Sequence, residues 1–173
     1  LERKLKTPID DRVRTSLKAG EEVLITGTIY TGRDAAHKRL IEAIDHNKPL
    51  PFDIKDQIIF YVGPTPAKPH QVIGACGPTS SYRMDQFSPI LMEKGLKIMI
   101  GKGPRSDDFT KELIKNKAVY LLAIGGLGAK LSQTVKTNTT IAYEDLGTEA
   151  IRKLEVVDFP AIVAIDSNGQ SIL

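Results

Sequence analysis

At 173 residues, 41% apolar and 26% charged, the chain has the length of one folded domain and the composition of an ordinary globular protein, not a disordered one. Its net charge of +3 is spread along the sequence, tryptophan is absent and aromatics are few, which argues against a nucleic-acid-binding face. No apolar run approaches the ~20 residues of a membrane-spanning helix, and the single cysteine, Cys76, can neither close an intrachain disulfide nor hold an iron–sulfur cluster.

The charged opening Glu2-Arg3-Lys4-Leu5-Lys6 reads as a solvated arm, and residues 1–19 are expected at the periphery of a single domain spanning 1–173. No signal-peptide core is present, and a cytoplasmic location is expected. The first residue is Leu1 and not methionine, so a leader ahead of it stays open. Glu22 to Ile29 is rich in β-formers and follows the turn-like Ala19-Gly20, so a strand is expected there. Asp34 is placed to cap a following helix, in which Ala36, Leu40, Ile41 and Ile44 recur at helical spacing, with Pro49 and Pro51 beyond its end.

Gln57 to Val62 and Gln71 to Cys76 read as further strands around the Pro-rich stretch 63–69. After the turn Gly77-Pro78-Thr79, a helix is predicted from Ser80 to Lys94, then a short buried strand from Lys97 to Ile100. Asp107 or Asp108 is expected to cap a helix reaching Lys115, and Val119 to Ile124 forms an apolar strand. Ile141 to Tyr143, Glu155 to Val157 and Ala161 to Ile165 complete the strand candidates, and Ser167-Asn168-Gly169 is a hairpin turn. Strands alternating with helices indicate an α/β fold with a mixed sheet and flanking helices.

Three segments place a cation on a glycine-framed loop after a strand, where ligands of α/β folds collect. Arg33 stands between a strand and a helix; its guanidinium can clamp a carboxylate, or simply pair with Asp34 or Asp45. Thr79 and Arg83 follow Gly77-Pro78 at a predicted helix start and can share a face toward an anion, while the plainer alternative makes the hydroxyls of 79–81 ordinary caps. Lys102 lies between Gly101 and Gly103, without the spacing of a phosphate-cradling P-loop. Gly125-Gly126-Leu127-Gly128 does not fit a dinucleotide fingerprint, and His37, His46 and His70 are scattered, His37 reading as structural or solvated. HExxH, CxxC and GxSxG are all missing. The residues by themselves describe an α/β domain with three framed cations suited to a small dianion, and no reaction follows from them.

Taken together and in order, TGRDAAHKR (Thr31 to Arg39), GPTSSYRMD (Gly77 to Asp85), IGKG (Ile100 to Gly103), AIGG (Ala123 to Gly126), YEDLGTEAI (Tyr143 to Ile151) and AIDSNG (Ala164 to Gly169) resemble the β subunit, or C-terminal domain, of class I fumarases. The likeness runs from about Gly20 to the C-terminus. It implies a swivelling β/β/α fold and reversible hydration of fumarate to L-malate. It further implies a [4Fe–4S] cluster held by a separate α subunit, in an α2β2 assembly, with this chain alone inactive. By the same resemblance Arg33, Arg83 and Lys102 are the substrate-carboxylate contacts and Thr79 the proton-transfer residue, while Cys76 is structural. The β subunit of L(+)-tartrate dehydratase is a close relative, less similar at TGRDAAH and EDLG. A non-catalytic dicarboxylate-binding or scaffold subunit is the alternative of another class.

Overall fold

The computed structural model describes residues 2–124 and 128–173. Its elements run β1 (Arg3–Lys6), α1 (Asp11–Ser16), β2 (Glu22–Thr31), α2 (Asp34–Asp45), β3 (Ile58–Phe60), a 3-10 turn (Ser81–Met84), α3 (Ser88–Glu93) and β4 (Ile98–Gly101). They continue with α4 (Asp107–Asn116), β5 (Val119–Ala123), α5 (Gly128–Ser132), β6 (Val135–Ala142), a second 3-10 stretch (Glu144–Glu149) and β7 (Ile151–Ile165). Together they make the expected mixed α/β architecture, a seven-stranded sheet with flanking helices.

The first five strands pair in parallel, β1 to β2, β2 to β3, β3 to β4 and β4 to β5. The long β7 runs antiparallel to β2, β5 and β6. Because β7 touches both β5 and β2, these pairings curl the sheet into a partial barrel. Side chains alternate across it, as the two-residue period of a strand requires. Ile58, Phe60, Val62, Ile98, Ile100, Val119 and Leu121 fill the cluster enclosed by the strands, with Phe159 set edge-on to Phe60. The intervening Ile59, Tyr61, Met99 and Tyr120 pack outward against Leu40, Leu91, Phe109 and Leu113 of α2, α3 and α4. Coverage of both faces is why these strands read as continuous apolar runs.

Several sequence expectations give way to longer-range contacts. Of the segment 1–19 expected at the periphery, the described residues 2–19 are not an arm: β1 is a strand of the sheet, and Leu5, Ile9 and Leu17 are buried in the enclosed core. Arg14 is 2% exposed and anchors α1, donating to the Lys117 carbonyl at 2.8 Å and meeting Asp11 at 2.8 Å. No strand forms over Gln71 to Cys76, because that segment folds back on the loop before it, with Thr65 and Ala75 hydrogen-bonded to each other. The helix expected from Ser80 to Lys94 divides into the 3-10 turn and α3, since Pro89 is compatible only with a helix start. Arg33, not Asp34, is the N-cap of α2, and Ser106 caps α4 by accepting from the Phe109 amide at 3.1 Å. The strands expected at 155–157 and 161–165 are parts of the single strand β7, which turns at Asp158 with φ of 53°.

Candidate functional site

Strands β2, β3 and β4 are parallel, so their carboxyl ends open on one side of the sheet, and the loops they deliver carry the expected residues. Arg33 leaves β2 as the N-cap of α2, its side chain 27% exposed. A Cβ on Gly63 would come within 2.9 Å of Arg33 Cδ and 3.1 Å of the Thr148 carbonyl, so glycine there gives the arginine stem its lane. Arg33 Nε stands 3.8 Å from Asp34 and 4.0 Å from Glu149, and hydrogen-bonds to no described residue.

One turn into α2, His37 is fully buried and its Nδ1–H donates to the Arg33 carbonyl at 2.7 Å. Burial pulls its pKa down to about 4, opposed by the Arg33 carbonyl bond, so the imidazole is neutral near pH 7. His37 therefore fixes the backbone of Arg33 from below and is a structural residue.

Thr79 follows β3 through a bridge between Val62 and Pro78, and its amide donates to the Tyr61 carbonyl at 2.7 Å. Its side chain makes no hydrogen bond among the described residues, and the residue is 9% exposed. Lys102 is stitched to the same segment: Ser81 N donates to the Lys102 carbonyl, and Lys102 N to Ser81 Oγ, both at 3.0 Å. A Cβ at Gly101 would sit 1.9 Å from Ser81 Oγ, so the first glycine of the GKG run is required by this close approach. The Lys102 side chain faces solvent.

Arg83 closes the group. Its Nε donates to Asp34 Oδ2 at 3.0 Å, and Nη2 lies 2.9 Å from Oδ1, an ionic contact off the line of a second hydrogen bond. Asp34 thus stands between Arg33 and Arg83, so the plainer pairing considered for Arg33 exists at long range, while the short contact belongs to Arg83. Arg33, Thr79, Arg83 and Lys102 share one face of the domain, held there by backbone links among β2, β3 and β4 and by the Asp34 carboxylate. Asp34 and Glu149 only partly offset the three cations, leaving a site suited to an anionic ligand.

A layer beneath the site was not legible in the motifs. Arg105 has a fully buried side chain stacked 3.5 Å from the centre of Phe109, and its Nε donates to Asp85 at 2.5 Å. Nη2 reaches both Tyr61 Oη and Ser88 Oγ at 3.3 Å. Asp85 also accepts from the Ser106 amide at 2.6 Å. The Tyr120 hydroxyl lies 2.8 Å from both Ser81 Oγ and the Gly103 carbonyl, and burial pushes its pKa up to about 12, so it keeps its proton. These contacts tie the loop 101–106 to the turn bearing Arg83.

Cys76 is buried and burial pushes its thiol up to about 11, far from the thiolate a metal would need. Among the described residues no group of three or more His, Cys, Asp or Glu side chains is placed to hold a metal ion. No helix of the described residues is long and apolar enough to cross a membrane. The second half of the AIGG motif, like most of the glycine run that began at Gly125, lies outside the described residues.

A family model described as Fumarase C-terminus matches residues 2–173. The chain is 44% identical over 147 residues to the anaerobic class I fumarate hydratase of Escherichia coli K12, covering 84% of this chain and 27% of that protein. It is 37% identical over 173 residues to fumarate hydratase 2 of Leishmania major, covering 97% of this chain and 30% of the relative. A putative L(+)-tartrate dehydratase subunit beta of Methanocaldococcus jannaschii is 38% identical over 162 residues, covering 90% of this chain and 83% of that one. The chain therefore spans under a third of the two fumarate hydratases and most of the separate subunit.

Proposed function

The chain belongs to the fumarase C-terminus family, and on that premise we propose that it is the β-type part of a hydro-lyase that reversibly hydrates fumarate to L-malate. The observation that carries this reading is the convergence of the loops bearing Arg33, Thr79, Arg83 and Lys102 at the carboxyl ends of parallel strands, joined by the Asp34–Arg83 pair and the Ser81–Lys102 bonds. A C4 dicarboxylate has an anionic group at each end. Two arginines and a lysine can take both ends, fixing the orientation of the carbons between them, and orientation of this kind lowers a barrier by several kcal/mol. Hydration places a hydroxyl on one alkene carbon and a proton on its neighbour. As that proton leaves in the reverse direction, negative charge spreads onto the adjacent carboxylate, where an arginine stabilises it.

We assign the proton transfer to Thr79. A hydroxyl is a weak base near neutral pH, so it needs help from the cations around it or a relay to a carboxylate of another polypeptide. The helix dipole expected behind Thr79 is not available, because only a four-residue 3-10 turn follows it. The cations of the same loops, Arg83 four residues on, Lys102 bridged to Ser80 and Arg33 beyond them, are then the groups of this chain left to favour a negative oxygen.

The donor set of this chain does not fit a [4Fe–4S] cluster, which takes at least three thiolates where Cys76 is the one cysteine. A cluster used in the reaction would be supplied by an α-type subunit or a preceding domain. The α2β2 assembly implied by the resemblance and a cytoplasmic location are part of this proposal. Tartrate is the second substrate to test, because the tartrate dehydratase subunit is matched over most of its own length.

The test is anaerobic reconstitution with a cluster-bearing α-type partner, following fumarate absorbance. Loss of fumarate only when both chains are present supports the assignment, and the same assay with L(+)-tartrate sets specificity. Arg33→Ala or Arg83→Ala should lower turnover by roughly two orders of magnitude or more. A scaffold subunit would instead lose assembly and keep its rate per assembled complex.

A further inference from the structure

We propose that Asp34 is a positioning residue, holding the Arg83 guanidinium in one plane so that an incoming carboxylate meets its far edge. This deepens the reading of the face as a dicarboxylate site and rests on it. Arg83 sits on a four-residue turn with its side chain 42% exposed, and Asp34 is its hydrogen-bonding partner among the described residues. Left alone, so long a side chain would be ordered only when ligand arrives. Asp34 is the first residue of a twelve-residue helix, where the free amides and the dipole favour a negative side chain, and it reaches across a sequence gap of 49 residues to Arg83.

The contact uses a particular edge. Nε donates at 3.0 Å and Nη2 lies at 2.9 Å, which leaves the Nη1 donors and the outer donor of Nη2 for a ligand. The same Asp34 Oδ1 is 3.8 Å from Arg33 Nε, so one carboxylate also offsets repulsion between the two guanidiniums. An ordinary surface ion pair of this exposure would contribute little to anything. What distinguishes Asp34 is that its partner is a ligand-facing group, so its effect should be read in catalysis and not in folding.

The experiment has two readouts. In the full chain labelled with 15N, the Arg83 Nε–H should be protected from exchange, and Asp34→Asn should speed that exchange by about tenfold or more. In the enzyme assembled with its cluster-bearing partner, Asp34→Asn should lower kcat about tenfold with KM unchanged or lower, because a negative neighbour of the ligand has been removed. Combined with Arg83→Ala, the Asp34 change should cost less than about twofold further, the non-additivity of a residue acting through another. Asp34→Glu, which keeps the charge, should retain most of the rate and serves if the Asn variant folds poorly. An equal cost of Asp34→Asn with and without Arg83, or an Arg83 Nε–H already labile in the parent chain, overturns the inference. Full turnover in Arg83→Ala alone would instead sink the dicarboxylate reading, with the exchange measurement then deciding only whether Asp34 orders Arg83.

Discussion

Asp85→Asn is the substitution by which the support beneath the site can be measured. The Asp85 carboxylate accepts from Arg105 Nε at 2.5 Å and from the Ser106 amide at 2.6 Å, with the arginine side chain wholly buried and the aspartate 13% exposed. An asparagine of the same shape removes the charge and leaves the guanidinium buried among Phe109, Tyr120 and Tyr61 with only weak polar contacts. Breaking one side of such a pair costs about 3–5 kcal/mol. For a domain of this size that corresponds to a fall in Tm of about 10 °C. Replacing both partners, as Asp85→Asn with Arg105→Met, removes the stranded charge, so the double variant should recover much of the loss. Thermal melts by circular dichroism of the four chains complete the cycle. A single Asp85→Asn variant melting within about 2 °C of the parent would refute the argument, since so small a shift is worth under about 1 kcal/mol.

His37 makes stability depend on pH in a window set by its own shift. Its pKa is lowered from 6.5 to about 4 in the folded chain, so below pH 6.5 the unfolded state takes up a proton that the folded state refuses. Stability should be flat above pH 6.5 and fall by about 3 kcal/mol as the pH drops toward 4, and His37→Asn should remove that component from urea melts. Gly101→Ala would drive a methyl to 1.9 Å from Ser81 Oγ. It should separate the Lys102 loop from the Thr79 segment and weaken dicarboxylate binding by about tenfold or more, read by calorimetry on the assembled enzyme. Asp166, 2% exposed, accepts from the amides of Ala19, Asn168 and Gln170 at 3.0–3.1 Å. Asp166→Ala should destabilise the chain by about 2–3 kcal/mol in denaturant melts, because those amides are left without partners.

The parts legible in the sequence were those written within a few residues of one another. An apolar run followed by Gly-Arg-Asp or Gly-Lys-Gly announces a strand and its exit loop, and Arg33 and Lys102 stand on such loops. Parallel pairing then brings those loops to one side without any further signal being needed. The misreadings share the opposite origin. Leu5 is the one apolar side chain among Arg3, Lys4, Leu5 and Lys6, so nothing local shows that it enters the core, and the pairing of β1 with β2 decides it. Gln71 to Cys76 has strand-like composition, yet its backbone bonds go to Thr65 and Lys68 in the loop before it, to the Asn138 side chain and, from Cys76, to Gly128, none of them a strand ladder.

Asp85 was visible inside the motif GPTSSYRMD, and Arg105 stood beside Gly103-Pro104, but the pair that joins them spans 20 residues, and the Asp34 contact with Arg83 spans 49. Periodicity and spacing report only what neighbours do. The cations on the exit loops are therefore the readable half of the candidate site, while the contacts of Asp34 with Arg83 and of Asp85 with Arg105 beneath it are supplied only by the fold. A substitution screen guided by motifs would reach Arg33, Arg83 and Lys102 first and rank Asp34 and Asp85 behind them, although an arginine is as useful as the plane in which it is held. Asp34→Asn should therefore separate binding from turnover, lowering kcat while KM holds, whereas Asp85→Asn should be read in the melting temperature.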